Sequence, residues 1–301
     1  MEAWIAITIA AAFLQNLRSA LQKHMKGRVS TSGATYARFC FAFPFAILYV
    51  GGLTGFGGFE LPSPPPSFWL YATVGGAAQI FATALLVSLF SFRNFAVGTA
   101  YSKTETVQTA VIGIVILSDP LSAAAVAGIL ISLVGVFALS MARSPLDLKS
   151  LLFGCLSRTA LIGIASGTFF GISAVSYRAA SLSLGGEGVI VQAAFTLACV
   201  TVMQTLAMTL YLRLREPGQI TAVIRTWRVA LGVGVSGMLA SACWFTAMTL
   251  QNAAYVRALG QVELVFTLAA SYFFFRERPV MIEMIGIGLL IGGVLILLLG
   301  S

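Results

Sequence analysis

The chain has 301 residues, 58% of them hydrophobic and only 9% charged, whereas a soluble domain carries about 25% charged residues. This is a membrane composition. Lys and Arg number 18 against 10 Asp and Glu, a net charge of +8, but they are scattered among short connections and form no basic, aromatic-interleaved nucleic-acid patch. His24 is the single histidine, and Cys40, Cys155, Cys199 and Cys243 lie far apart, so no metal site, histidine-based triad or disulfide framework is expected.

A bilayer core takes about 20 mostly apolar residues per helix. The first segment meeting that condition is 3–22. The opening "MEAWIAITIAAAFLQNLRSAL" lacks a basic start and an A-x-A site, so it is expected to be a retained span, not a cleaved signal. It carries a polar stripe of Gln15, Arg18, Ser19 and Gln22. Span 33–53 carries Arg38 and is followed by the Gly- and Pro-rich "GFGGFELPSPPPS". Span 68–91 carries Gln79. Span 95–117 places Lys103 and Glu105 near its middle, and 121–142 closes the first half ahead of "RSPLDLKS". The second half supplies 159–180, 188–212, 227–249, 253–275 and 280–300, with Arg257, Gln261 and Glu263 in the fourth of these. Ten helices leave no room for a soluble domain.

Loop charges assign the faces. Lys23, Lys26 and Arg28 follow span 1, Arg93 follows span 3, and Arg143, Lys149 and Arg158 follow span 5. Arg213, Arg215, Arg225 and Arg228 surround the connection after span 7, and Arg276 and Arg278 follow span 9. The connections after spans 2, 4 and 8 contain no Lys or Arg, and the one after span 6 has only Arg178, near a helix end. Odd connections are therefore expected in the cytoplasm, with both termini outside.

Sliding the chain by 158 residues matches Asn94 to Asn252, Glu105 to Glu263, Thr109 to Thr267, Gly128 to Gly286, Gly135 to Gly293 and Trp69 to Trp227, with Asp119 opposite Glu277. Five spans per half is an odd number, so the halves, 1–150 and 151–301, must face opposite ways. The expectation is an all-α membrane protein built as two inverted five-helix repeats, an architecture of secondary transporters.

Three stretches carry a family likeness: "YARFCFAFPFAILY", "FFFRERPVMIEMIGIGLLIGGVLILL" and its weaker first-half copy "SDPLSAAAVAGILISLVGVFAL". Through them the chain resembles the drug/metabolite transporter superfamily, specifically ten-span permeases with two EamA-type repeats. The resemblance implies metabolite transport, export being the commoner activity, from a bacterial inner membrane. It also implies a proline in the fourth span of each repeat, where this chain has Glu105 and Glu263, and cytoplasmic termini, which the loop charges oppose.

Charge at mid-span is expensive, so it faces a cavity or an opposite charge. Arg18, Arg38, Lys103 and Arg257 against Glu105 and Glu263 leave a surplus of two cations, which favours an anionic or zwitterionic substrate. On an ideal helix Tyr101, Glu105 and Gln108 share one face and Lys103 lies opposite, so Lys103 cannot simply pair with Glu105. Arg257 and Gln261 share a second face, and Gly260, Glu263 and Thr267 a third. The candidate substrate contacts are Arg257, Lys103, Arg38, Gln261, Tyr101, Gln79 and Arg18. Arg257 and Lys103 stand out because their repeat partners, Thr99 and Gln261, are uncharged. Glu105 and Glu263 are either proton-coupling groups or structural pins. Tyr36, Trp244 and Tyr255 are further aromatic candidates, and the glycines of 232–237 and 286–293 suit close helix packing.

With no nucleotide-binding or hydrolase motif, no enzyme, cofactor or metal is expected. The partners are a small-molecule substrate and the bilayer, with the protein a monomer or homodimer. The leading expectation is a secondary active permease for an amino acid or organic anion, proton-coupled or exchanging. The alternatives are a lipid flippase and a non-transporting scaffold or receptor.

Overall fold

The structure, a computed structural model, describes residues 2–25, 27–89, 91–92, 95–142, 157–186, 188–275 and 280–300. Every regular element among them is helical. Lys26, Arg93, Asn94, Arg143, Lys149, Cys155, Arg276, Glu277 and Arg278, on which part of the loop-charge and repeat readings rests, lie outside the described residues.

In chain order the helices are α1 (Ala3–Met25), α2 (Thr31–Cys40), α3 (Phe43–Gly55), α4 (Pro66–Leu89), α5 (Phe95–Ser102), α6 (Glu105–Leu117) and α7 (Ala123–Ala142). There follow α8 (Arg158–Ser183), α9 (Val189–Arg215), α10 (Gln219–Arg225), α11 (Trp227–Leu250), α12 (Ala253–Gly260), α13 (Glu263–Phe275) and α14 (Met281–Leu299). Among the described residues, with α2 and α3 taken together, eight segments are long and apolar enough to cross a bilayer, which makes this an integral membrane protein. The remaining two expected spans are each in two pieces, α5 with α6 and α12 with α13. The expectation of ten spans treats each of those pairs as one.

Two features depart from the expected spans, each for a local reason. Pro44 has no N–H, so the Cys40 carbonyl loses its donor; α2 stops at Cys40 and α3 restarts with proline in its first turn. The connection after span 7, expected as a loop, contains α10. Its entry is "REPG", in which Gly218 takes φ +89, a left-handed value glycine tolerates.

The chain forms two compact units, Met1–Ile80 with Ser176–Gln251 and Phe81–Val175 with Asn252–Ser301. Each unit draws on both halves of the sequence.

In the first unit, α1 packs along α11, and α9 packs on α2, α3 and α11. Phe68, Leu197 and Phe245 anchor an otherwise alanine-rich core. Small residues let the backbones close: a Cβ on Gly234 of α11 would fall 2.5 Å from the Phe41 carbonyl carbon. Arg178 donates to the carbonyls of Met248 (2.6 Å) and Gln251 (2.8 Å), placing a cation on the C-terminal carbonyls of α11.

In the second unit, α7 lies along α14 and α12 against α6. The α7–α14 contact is reciprocal. A Cβ on Gly128 would meet the Gly293 carbonyl at 2.5 Å, and one on Gly135 would meet the Gly286 carbonyl at 2.6 Å. Since 128 + 158 = 286 and 135 + 158 = 293, each glycine faces the repeat counterpart of the other. Such an exchange is what a local two-fold axis between matching helices produces. Along α8, Gly163, Gly167 and Gly171 recur every four residues and form a rail for the broken α5–α6. A Cβ on Gly167 would meet the Ser102 carbonyl at 2.9 Å and the Glu105 N–H at 3.1 Å.

Candidate transport site

Both breaks in the second unit have the same construction. At the first, the Lys103 N–H reaches the Ala100 carbonyl (3.1 Å) and the Thr104 N–H the Tyr101 carbonyl (3.1 Å). At the second, the Gln261 N–H reaches the Ala258 carbonyl (3.2 Å) and the Val262 N–H the Leu259 carbonyl (3.0 Å). These are tightened i→i−3 turns, and every atom pair corresponds under the 158-residue shift. The next helical piece begins at Glu105 in one case and at Glu263 in the other. A carboxylate there sits in the first turn of a helical piece, the favourable end of the helix dipole. That accounts for glutamate at both positions where the family resemblance implies proline: each residue type suits a first helical turn.

Each carboxylate is paired with a cation from the other sequence half. Lys103 Nζ pairs with Glu263 Oε1. Arg257 Nη1 lies 2.9 Å from Glu105 Oε1, off the angle of a hydrogen bond. These side chains are 12–23% exposed, dry enough for the attraction to matter yet open to water. Gln261 Nε2 donates to the Thr106 hydroxyl at 2.9 Å, so Arg257 and Gln261, expected on one face, both reach the first turn of α6.

The break alters one expected grouping. Tyr101, Glu105 and Gln108 were placed on one face of an ideal helix, but the helix is interrupted between the first two. Tyr101 is buried against Phe137, ring centroids 5.9 Å apart, in an apolar cluster with Ala160. Gln108 donates to Thr104 at 3.0 Å, and the Thr104 hydroxyl donates back to the Tyr101 carbonyl at 2.6 Å, fastening the turn. Tyr255 lies with Ser122, hydroxyls 3.4 Å apart.

Arg18, Arg38 and Gln79 lie in the first unit, all buried. A Cβ on Gly237 would be 3.2 Å from Arg18 Cδ and 3.7 Å from Arg38 Cγ, so the two arginine stems pass over one glycine. Gln79 belongs to an amide cluster. The Gln204 amide donates to Gln79 Oε1 (2.9 Å), the Gly76 carbonyl (3.0 Å) and the Tyr177 hydroxyl (3.2 Å), and Tyr177 in turn donates to Gln79 at 3.1 Å. Tyr177 stacks on Phe245 at 4.4 Å. Arg38, Gln79, Gln204 and Ser241 line a cavity of about 10 Å³, room for roughly one water. Trp244 Nε1 donates to Gln15 Oε1 at 3.1 Å, and Tyr36 accepts from Thr209 at 3.2 Å.

Gln204, Tyr177 and Thr106 were not among the residues expected from sequence. Gln204 had a visible signal, an amide in the middle of an apolar segment; Tyr177 and Thr106 had none, because tyrosine and threonine are common in spans.

Residues 157–299 match the model of the EamA-like transporter family. Over this stretch, a little under half of its length, the chain is similar to that family. The match agrees with the coarse sequence reading, a membrane transporter of the drug/metabolite transporter superfamily. A solved crystal structure of a protein superposes on this chain with a TM-score of 0.73 at 19% identity, covering 99% of this chain and 97% of its own; the likeness is one of fold. No curated protein matches the sequence.

Proposed function

We propose that this EamA-like protein is a secondary active transporter of a small zwitterionic or anionic metabolite, such as an amino acid or an organic anion, working by alternating access. The reading extends to 1–150 and 151–301 as inverted repeats in a bacterial inner membrane, with termini outside and energy from proton coupling or exchange. One observation carries it: two matching helix breaks, each starting a new helical piece with a glutamate held by a cation from the opposite half. Broken helices with charge at their ends are how transporters place substrate and ion groups within the bilayer.

The paired quartet Lys103, Glu263, Arg257 and Glu105 is neutral as a set. A zwitterion offers both poles to such a set, and its carboxylate can replace a glutamate on Arg257 or Lys103. Arg18 and Arg38 add two further buried cations in the other unit. The surplus of positive charge therefore lies outside the quartet.

The test is flux of labelled amino acids and organic anions into proteoliposomes at two pH values. The wild type is expected to move at least one of them, and Arg257→Ala and Lys103→Ala to reduce that flux tenfold or more while still reconstituting. Absence of flux for every soluble compound would sink the reading, and movement of a labelled phospholipid instead would replace it with a flippase.

A further inference from the structure

A second charged feature lies at the helix ends of the first unit, apart from the buried residues above. The connection after α1 and the segment around α10 are 189 residues apart in sequence, comparing Ser30 with Gln219, yet they are bonded together. The Ser30 N–H donates to Gln219 Oε1 at 3.0 Å, and the Ser30 hydroxyl donates to Glu216 Oε2 at 2.6 Å. The same hydroxyl accepts the Gly33 N–H at 3.0 Å, so one serine caps α2 and staples both connections. Between them opens a cavity of about 470 Å³ lined by Arg28, Gly218, Thr221, Ala222, Arg225 and Thr226.

We propose that this cavity binds the phosphate of an anionic phospholipid headgroup. Its lining holds two guanidinium side chains and no carboxylate. The nearby Glu216 is committed to Ser30. Guanidinium groups present a planar fork of donors that matches phosphate oxygens, and both arginines are exposed. A general bias of basic residues to one face needs no convergence of particular side chains. Here two arginines from different connections are brought to one opening by a fixed hydrogen-bonded staple.

The surroundings place that opening at a lipid surface. Leu214, Ile224 and Trp227 flank it in sequence and are 71%, 58% and 51% exposed, an apolar fringe suited to acyl chains and the headgroup boundary. A soluble phosphate compound has no use for that fringe. Basic pockets at span ends are where anionic headgroups dock. This site is independent of the transport reading.

The experiment uses the full chain purified in detergent, with thermal unfolding followed while phosphatidylglycerol, phosphatidylcholine or inorganic phosphate is added. Phosphatidylglycerol is expected to raise the midpoint well above the effect of phosphatidylcholine, and inorganic phosphate to do little. Each arginine is expected to contribute about fivefold in apparent affinity, so Arg28→Ala with Arg225→Ala lowers it roughly 25-fold. Arg28→Lys with Arg225→Lys should keep part of it. Arg213→Ala with Arg215→Ala removes the same charge from exposed positions outside the lining and should change affinity a few-fold at most. Equal loss in that control pair would mean diffuse surface charge and overturn the site. Equal response to the two lipids would overturn it too. Saturation by inorganic phosphate, with displacement of the lipid, would convert it to a site for a soluble phosphate compound.

Discussion

Gly292 and Gly293 are neighbours on α14, yet alanine should have opposite effects at the two. A Cβ at Gly292 has nothing within 4 Å. At Gly293 it would meet the Gly128 carbonyl and the Ser132 N–H, both at 2.6 Å, where ordinary contact is 3.4–4 Å. The Ser132 hydroxyl also stands in the way and can rotate aside, but these two obstacles are backbone atoms of α7, so the helices must part by about 1 Å. Overpacking of this kind costs roughly 1–3 kcal/mol, and rigid backbone on both sides puts Gly293→Ala in the upper part, about 2–3 kcal/mol. The gain of alanine over glycine in a helix returns up to about 1 kcal/mol. The net is a loss of about 1–3 kcal/mol, or a drop in unfolding midpoint of roughly 2–12 °C in a detergent thermal-unfolding assay. Gly292→Ala should leave the midpoint level or raise it slightly. Combining Gly293→Ala with Gly128→Ala should cost less than the sum, because helices already parted by one methyl accept the second more cheaply. Indistinguishable midpoints for Gly292→Ala and Gly293→Ala would refute the close-contact reasoning for the whole α7–α14 seam.

Two further perturbations address the charged groups. Glu263→Gln or Lys103→Met alone leaves one charge half-dried and uncompensated, at an expected cost of about 1–3 kcal/mol after discounting the 3–5 kcal/mol of a fully buried pair for partial exposure. Lys103→Met with Glu263→Leu should be closer to wild type than either single variant in the same assay, while transport is lost in all three. For Arg178→Ala, the loss of charged donors to the Met248 and Gln251 carbonyls should cost about 1.5–3 kcal/mol, and Arg178→Lys should recover part of it; a midpoint unchanged in Arg178→Ala would count against the capping role.

Composition and apolar run length made the helical membrane fold legible, because a bilayer leaves a chain few other ways to satisfy its backbone. The charge positions were legible for the same energetic reason: Lys103, Glu105, Arg257 and Glu263 are conspicuous where charge is costly. Their pairing was only half legible. Ideal-helix periodicity set Lys103 and Glu105 on opposite sides, but nothing in a linear pattern says which distant carboxylate Lys103 meets. The breaks at Lys103–Thr104 and Gln261–Val262 were hidden, because neither contains proline or a glycine pair and the apolar character runs on through both. Pro44 was in plain view, yet its effect on span 2 could have been a kink or a full break. Arg178, read from sequence as a residue near a helix end, turned out to cap a different helix, a relation between elements that spacing within one element cannot contain.

What remains after these local accounts is a contrast between symmetric and asymmetric features within the second unit. The backbone turns, the glutamates and the glycine seam all obey the 158-residue correspondence, so they answer to the frame. The cations do not: Arg257 corresponds to Thr99 and Lys103 to Gln261. If the ion pairs served the frame alone, a duplicated frame would be best served by duplicated pairs, since any geometry that suits one break suits its counterpart. Using arginine at one carboxylate and lysine from a different helical turn at the other makes the two ends of the quartet chemically distinct. One end presents a planar fork that can hold a carboxylate by two bonds; the other presents a compact point charge. A symmetric ligand would gain nothing from that difference, whereas a small molecule with unlike poles would be oriented by it. On this argument Arg257→Lys should weaken selection among substrates more than it weakens folding. Competition flux with paired carboxylate and non-carboxylate substrates would measure it, and an unchanged substrate ranking would place the arginine with the frame.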